Sequence, residues 1–222
     1  AQEKKPDPGK KTVLIMASNV GTQVTDLLAP YSILSSTGLY NVYVVAPEKK
    51  LSGTTSPLAF IPDFSFETAP TADAIVVPAV IDHSNSALIH WIQKNAEKTW
   101  VLSICEGARL LANAGLLDGL EGTSHFVALD HLKKNFPDTQ WSATQRVVSN
   151  GKIILTAGIT AAIDGAIALN SLLGGQQVSN QIIEKWKLRS VSQTPKPMGQ
   201  FEILKLFGQC HFCRCFGIII IA

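Results

Sequence analysis

Ser103-Ile104-Cys105-Glu106-Gly107 carries the clearest chemical pattern in the chain. A nucleophile on a tight strand-to-helix turn needs small residues two positions to either side, because the turn leaves no room for larger side chains. Ser103 and Gly107 meet that need, with Cys105 as the nucleophile. A sulfur at the N-terminus of the following helix faces unpaired N–H groups and the positive end of the helix dipole, which favour the thiolate. Cysteine is also a common small core residue, so the reading depends on what converges on it. Thiol attack on an electrophilic carbon needs a group that moves the proton, and a carboxyl suits. Asp26 is the candidate: beside a thiolate its carboxyl resists ionising and can donate a hydrogen bond to sulfur. The alternative for Asp26 is a turn residue that caps a helix starting at Pro30.

These residues need a scaffold. Thr12-Val-Leu-Ile-Met-Ala17 is a continuous apolar run, as expected of a central parallel strand covered on both faces. A helix is expected from Pro30, which is tolerated at the first helical position, to Thr37, leaving Asp26 in the loop before it. Tyr40 to Ala46 and Asp73 to Pro78 read as further strands, and Leu51 to Phe66 as a short hairpin or a long loop. Ser84 to Lys98 reads as a helix with Ser84 or Ser86 as N-cap and Leu88, Ile89 and Ile92 inward. Trp100 to Ile104 is the strand before Cys105, and Glu106 to Ala114 the helix after it, closed by Gly115. Gly122 to His125 is extended, and Phe126 to Phe136 has helical spacing. Asn150-Gly151 joins two strands as a hairpin. Thr160 to Leu173 and Gln177 to Leu188 complete the helices. Strands alternating with helices imply an α/β sandwich around a mostly parallel sheet. Asp26, Pro78 and Cys105 then fall at the carboxyl ends of strands, where ligands bind in such sheets.

The chain has 222 residues, 46% hydrophobic and 16% charged, with a net charge of +2. That suits one domain, read as 12–190, and is too mild a charge to argue for nucleic acid. No apolar run reaches the ~20 residues that span a bilayer. The polar leader, residues 1–11, reads as flexible. It is either a mature end left by signal-peptide cleavage or an expression remnant, which tips localisation slightly toward export (periplasmic or extracellular). The tail, 191–222, is apolar and rich in cysteine. Cys210, His211, Cys213 and Cys215 are soft donors, but their spacing fits no finger pattern; an edge strand, a dimer contact or a sequence artefact explains them as well.

The ordered pieces Asp26-Leu-Leu-Ala-Pro-Tyr31, Ala74-Ile-Val-Val-Pro78, Ile104-Cys-Glu-Gly107, Gly122-Thr-Ser-His125 and Leu155 to Asp164 together resemble the DJ-1/PfpI (ThiJ/PfpI) superfamily over roughly Thr12 to Gly175. The branch they resemble most is that of isocyanide hydratases and the amidotransferase-like domains of AraC-type regulators. The resemblance implies a flavodoxin-like three-layer fold, Cys105 as nucleophile, Asp26 as its acidic partner and a homodimer. No cofactor is expected. It also places His125 near the nucleophile as a proton shuttle, the alternative being a histidine bonded to backbone at a strand end. The sequence departs from the family in two places. Glycines often follow the proline of the third strand, whereas here Ala79 and Val80 do, which puts an oxyanion hole from that loop in question; of the two, Ala79 is the expected donor. Histidine often follows the cysteine, whereas here Glu106 does, either pairing with Arg109 on the surface or opposing thiolate formation. Asp164 matches a recurrent family position, with a capping or network role. The resulting expectation is an enzyme adding water to a small electrophile, in the manner of an isocyanide hydratase. The competing expectation is a redox-sensing or ligand-binding protein. The stretch after Leu173 is expected to leave no room for the DNA-binding domain such regulators append, which weakens transcription control but not redox sensing.

Overall fold

Apolar runs without alternation fold as strands covered on both faces, and this chain builds its sheet from them. The computed structural model describes residues 5–188. In chain order the elements are β1 (Lys11–Met16), α1 (Val24–Ser35), β2 (Tyr40–Ala46), β3 (Ser52–Gly53), β4 (Ala59–Phe60), β5 (Phe64–Ser65), β6 (Ala74–Val77), α2 (Ser86–Ala96), β7 (Trp100–Ile104), α3 (Gly107–Asn113), β8 (Glu121–Thr123), α4 (Phe126–Asn135), β9 (Gln140–Ser142), β10 (Val147–Asn150), β11 (Ile153–Thr156), α5 (Ala161–Gly174) and α6 (Gln176–Lys185). Seven strands form one sheet in the order β10-β11-β7-β6-β1-β2-β5, parallel except for β10. Ile15 lies opposite Val44 on one side and Val76 on the other.

Alternate side chains of each strand supply two cores. Val13, Ile15 and Ala17 pack with Leu27 and Leu34 of α1 and Leu169 and Leu173 of α5. Leu14 and Met16 pack on the other face with Leu88 and Ile92 of α2, Leu110 and Leu111 of α3 and Leu132 of α4. The result is the expected three-layer α/β sandwich. β1 leads to β2 on one side while β6 lies on its other side, so the strand order reverses between β1 and β6. Loops leaving the carboxyl ends there diverge to opposite faces and open a crevice.

Local chemistry explains where the elements differ from expectation. Helix α1 starts six residues before Pro30, because Gln23 caps it: its side-chain oxygen accepts from the Asp26 N–H at 2.8 Å. Asp26 therefore lies in the first turn of α1, not in a preceding loop, and Pro30 lies inside the helix. Proline has no N–H to give the carbonyl four residues back, which is that of Asp26. Asn85, not Ser84 or Ser86, caps α2, accepting from the Ala87 N–H at 2.9 Å. On that helix Trp91 is buried beside Leu88 and Ile92, and Ile89 is only half-buried. Leu51 to Phe66 holds the small β3–β4 hairpin plus edge strand β5. Strand β9, unforeseen, pairs with β8. Within the polar leader, Asp7 is tied to the body: its N–H donates to Asn41 Oδ1 at 3.1 Å and its carbonyl accepts from Asn41 Nδ2 at 2.9 Å. The hairpin at Asn150-Gly151 and the Gly115 cap form as expected, both glycines at positive φ.

Candidate active site

The turn between β7 and α3 holds Cys105 at φ +57°; among the described residues only Lys187 shares that region without being glycine. The left-handed conformation costs an L-residue roughly 1–2 kcal/mol, so the surroundings must impose it. The Cys105 N–H donates to the Thr156 carbonyl at 3.1 Å, continuing the β11 ladder. The Ser124 hydroxyl donates to the Cys105 carbonyl at 2.9 Å. Gly107 is required by close approach: a Cβ there would overlap the Val77 carbonyl oxygen and come within 3.1 Å of that of Pro78. The small residue called for two positions after the cysteine thus makes room for the end of β6.

Asp26 is fully buried. Its Oδ2 accepts from the Ala79 N–H at 3.3 Å, which ties the first turn of α1 to the loop after β6. Its carboxyl also meets the Cys105 thiol, an interaction that acts on both groups. Oδ1 is buried and, among the described residues, forms no further hydrogen bond of good geometry. Burial is the largest influence on Asp26 and raises it from 3.8 to about 7; the Ala79 N–H and the thiol lower it in part, and the charge of Glu106 raises it. Burial also pushes the Cys105 thiol up to about 12, helped by the Asp26 and Glu106 charges and opposed by the Glu106 N–H, which donates to sulfur. The thiolate expected from the helix N-terminus is therefore not the resting form. One backbone N–H at the start of a short helix is outweighed by desolvation and two carboxylates. At neutral pH the pair is a thiol facing a carboxyl close to its own midpoint.

Cys105 opens onto a cleft of about 340 Å³. Ala79 and Val80 form one wall, neither of them at positive φ. Val80 is bridged to Thr22, with Gln23 N–H on Ala79 O at 2.8 Å and Ile81 N–H on Gly21 O at 2.9 Å. The Ala79 N–H, the expected donor to a reacting atom, is taken by Asp26, because the buried carboxylate is its nearest strong acceptor. His125, at the N-terminus of α4, also lines the cleft, its ring centroid 4.5 Å from that of Phe126, with Nδ1 buried and unpartnered among the described residues. Glu106 also lines the cleft and is bound at 2.7 Å by Arg109 Nε; Arg109 is only 12% exposed, so this is a half-buried pair, not a surface one. Asp164 lies away from the sulfur, in the first turn of α5, paired with Arg146 at 2.6 Å.

Gln23, Thr55, Ile81, His83 and Ile159 line the same cleft and were not singled out by the sequence patterns. His83 could have been found by counting on from Pro78, since the loop after a strand's carboxyl end faces the crevice. Thr55 and Ile159 gave no signal. The cysteine-rich tail lies outside the described residues; within them no three His, Cys, Asp or Glu side chains cluster to hold a metal, and no helix is long and apolar enough to cross a membrane.

Comparison with known proteins bears on this geometry. Isonitrile hydratase of Pseudomonas putida is 31% identical over 160 residues, covering 69% of this chain and 68% of that enzyme. The HTH-type transcriptional regulator CdhR of Pseudomonas aeruginosa is 36% identical over 104 residues, but the match spans only 30% of its length and 46% of this chain. A THiJ/PfpI family protein from Pseudomonas syringae superposes with a TM-score of 0.74 at 23% identity, covering 90% of this chain and 88% of that one. Drosophila melanogaster DJ-1beta superposes with a TM-score of 0.72 at 18% identity, covering 82% of this chain and 100% of that one. These two likenesses establish the flavodoxin-like fold. The DJ-1/PfpI family model matches residues 11–171, from the start of β1 into α5 and so across the whole Asp26–Cys105 site, and the chain belongs to that family.

Proposed function

We propose that the protein is a cysteine-dependent hydratase of small electrophiles, acting on isonitriles or compounds like them. The observation that carries this reading is the Asp26 carboxyl buried against the Cys105 thiol beside the cleft, with burial raising both groups. The terminal carbon of an isonitrile accepts a nucleophile and then a proton at the same atom. Sγ attacks that carbon while the Asp26 carboxylate takes the thiol proton and passes it to the carbon, giving a thioimidate, Cys–S–CH=N–R. Water then adds across C=N, its proton passing through Asp26. The adduct collapses, the C–S bond breaks, the thiol is restored and the N-substituted formamide leaves. General acid–base transfer of this kind contributes about 10²–10⁴-fold to a rate. The similarity to isonitrile hydratase supports the same chemistry. The test follows formamide by proton NMR with small isonitriles, in the wild type and in Cys105→Ser. Product in the wild type alone supports the reading; no product with any small isonitrile refutes it.

A second reading, a redox-sensing or ligand-binding protein, is favoured by the use of the Ala79 N–H on Asp26, which removes one donor from the cleft. Under it, the protein turns over no electrophile, yet a ligand or oxidant at Cys105 changes its melting temperature. We also propose a homodimer, measured by sedimentation.

A further inference from the structure

Glu106 is the one charged carboxylate, lysine or arginine among the described residues that lines the cleft, and its partner Arg109 lies outside the lining. Glu106 lines the cleft and Asp26 lies behind Cys105, while no lysine or arginine among the described residues lines it. Arg109, the nearest cation in sequence, is turned to the Glu106 carboxylate through Nε and is nearly covered. At the mouth stand Ile81, 59% exposed, and Ile159, 40% exposed, and among the carboxylates, lysines and arginines described only Glu106 joins them in the cleft lining. An electrophile reaching Sγ passes apolar side chains and meets a carboxylate. The field of Glu106 reaches the reacting groups, since its charge raises both Asp26 and Cys105.

We propose that the Cys105 cleft admits uncharged electrophiles with an apolar substituent and turns away anions, with Glu106 setting the selection. The substrate class is then neutral: a carboxylate-bearing analogue of a good substrate fails not for size but for charge. This rests on the reading of Cys105 as the thiol that attacks the electrophile.

Iodoacetamide and iodoacetate test it, being alike in size and leaving group and differing in charge. Each alkylates Sγ with loss of iodide. Both rates are measured at the Cys105 peptide by mass spectrometry, at about pH 8, where the reactive thiolate share is larger than at neutral pH. The same two rates for N-acetylcysteine methylamide give the amide-to-acetate ratio of an unhindered thiol in water. A like charge about 7 Å away changes a rate by about 3-fold at the dielectric of water and about 50-fold at that of a half-buried site. The Arg109 guanidinium on Glu106 offsets part of that field, so the preference for the amide at Cys105 should exceed that of the free thiol by roughly 3- to 10-fold. Glu106→Gln should remove most of that excess, and 1 M salt should compress it in the unaltered protein, which guards against a variant that folds badly. A wild-type ratio equal to that of the free thiol, or one unmoved by both Glu106→Gln and salt, overturns the charge selection while leaving Cys105 as nucleophile. No reaction at Cys105 with either reagent overturns the nucleophile reading and this inference with it.

Discussion

Replacing Asp26 with asparagine should make the protein more resistant to unfolding as pH rises, while cutting turnover strongly. Asp26 is fully buried and its carboxyl is raised from 3.8 to about 7, chiefly by burial. A raised acid contributes its full stability below the unfolded value and loses it as pH rises to the folded value. Between about pH 4 and 7 the unfolded chain is ionised at this residue while the folded chain is not. Each pH unit in that window therefore costs the folded state roughly 1.4 kcal/mol, and the loss levels off above about 7 at about 4 kcal/mol. Asparagine carries no charge and keeps an oxygen for the Ala79 N–H. It also places an amide where Oδ1 has no partner, a penalty of about 1–3 kcal/mol that does not vary with pH. The difference between the two proteins should thus swing by about 4 kcal/mol in favour of the variant from pH 4 to pH 8, whatever its constant part. Urea unfolding followed by circular dichroism at each pH gives that difference directly. A pH-independent gap would show that the buried carboxyl carries no ionisation burden, and the proton-transfer role argued from it would fall. Turnover of a small isonitrile should drop about 10²–10⁴-fold in the same variant.

Two other outcomes follow from the same geometry. Turnover in the wild type should rise with pH through about 7, because the pair must first lose one proton and Asp26 loses it; a profile flat from pH 5 to 9 would contradict this. Gly107→Ala should destabilise the fold by about 1–3 kcal/mol and remove activity, since the new Cβ meets the Val77 carbonyl; a wild-type melting temperature would show that the elbow is looser than described.

Much of the fold was legible because its signals are local. The runs that became β1, β2, β6 and β7 are mostly apolar without alternation, as expected of strands buried on both faces, and Asn150-Gly151 announced its hairpin. Cys105 was legible because a tight turn constrains its neighbours' size. Asp26 was singled out in the sequence but its setting was not: Pro30 looked like a first helical residue, whereas the Gln23 side chain, a residue type outside the usual N-cap set, caps the helix earlier. The Ala79 N–H could have faced sulfur or carboxylate, and sequence offers no means to choose. Nor could it show that the thiol rests protonated, because the helix N-terminus favours the thiolate locally while burial, a property of the whole fold, decides against it.

The places where this chain breaks local rules lie together. A non-glycine residue holds a left-handed conformation at Cys105, and a carboxyl is buried against its own ionisation at Asp26. A proline removes the helical donor for the Asp26 carbonyl, and an imidazole nitrogen is buried without a described partner at His125. Each is unfavourable on its own, by about 1–3 kcal/mol for strained backbone and unmet polar groups. Core stability does not require them, since the two faces of the sheet are packed by Leu, Ile and Val elsewhere. Three come from different elements, α1, the β7–α3 turn and the start of α4, and meet where strand order reverses between β1 and β6. Strain that serves packing would be spread through the core; strain gathered at one crevice from separate parts of the chain is what a reacting centre requires. The scaffold holds a thiol and a carboxyl buried against each other, which is the arrangement the proposed proton transfer needs.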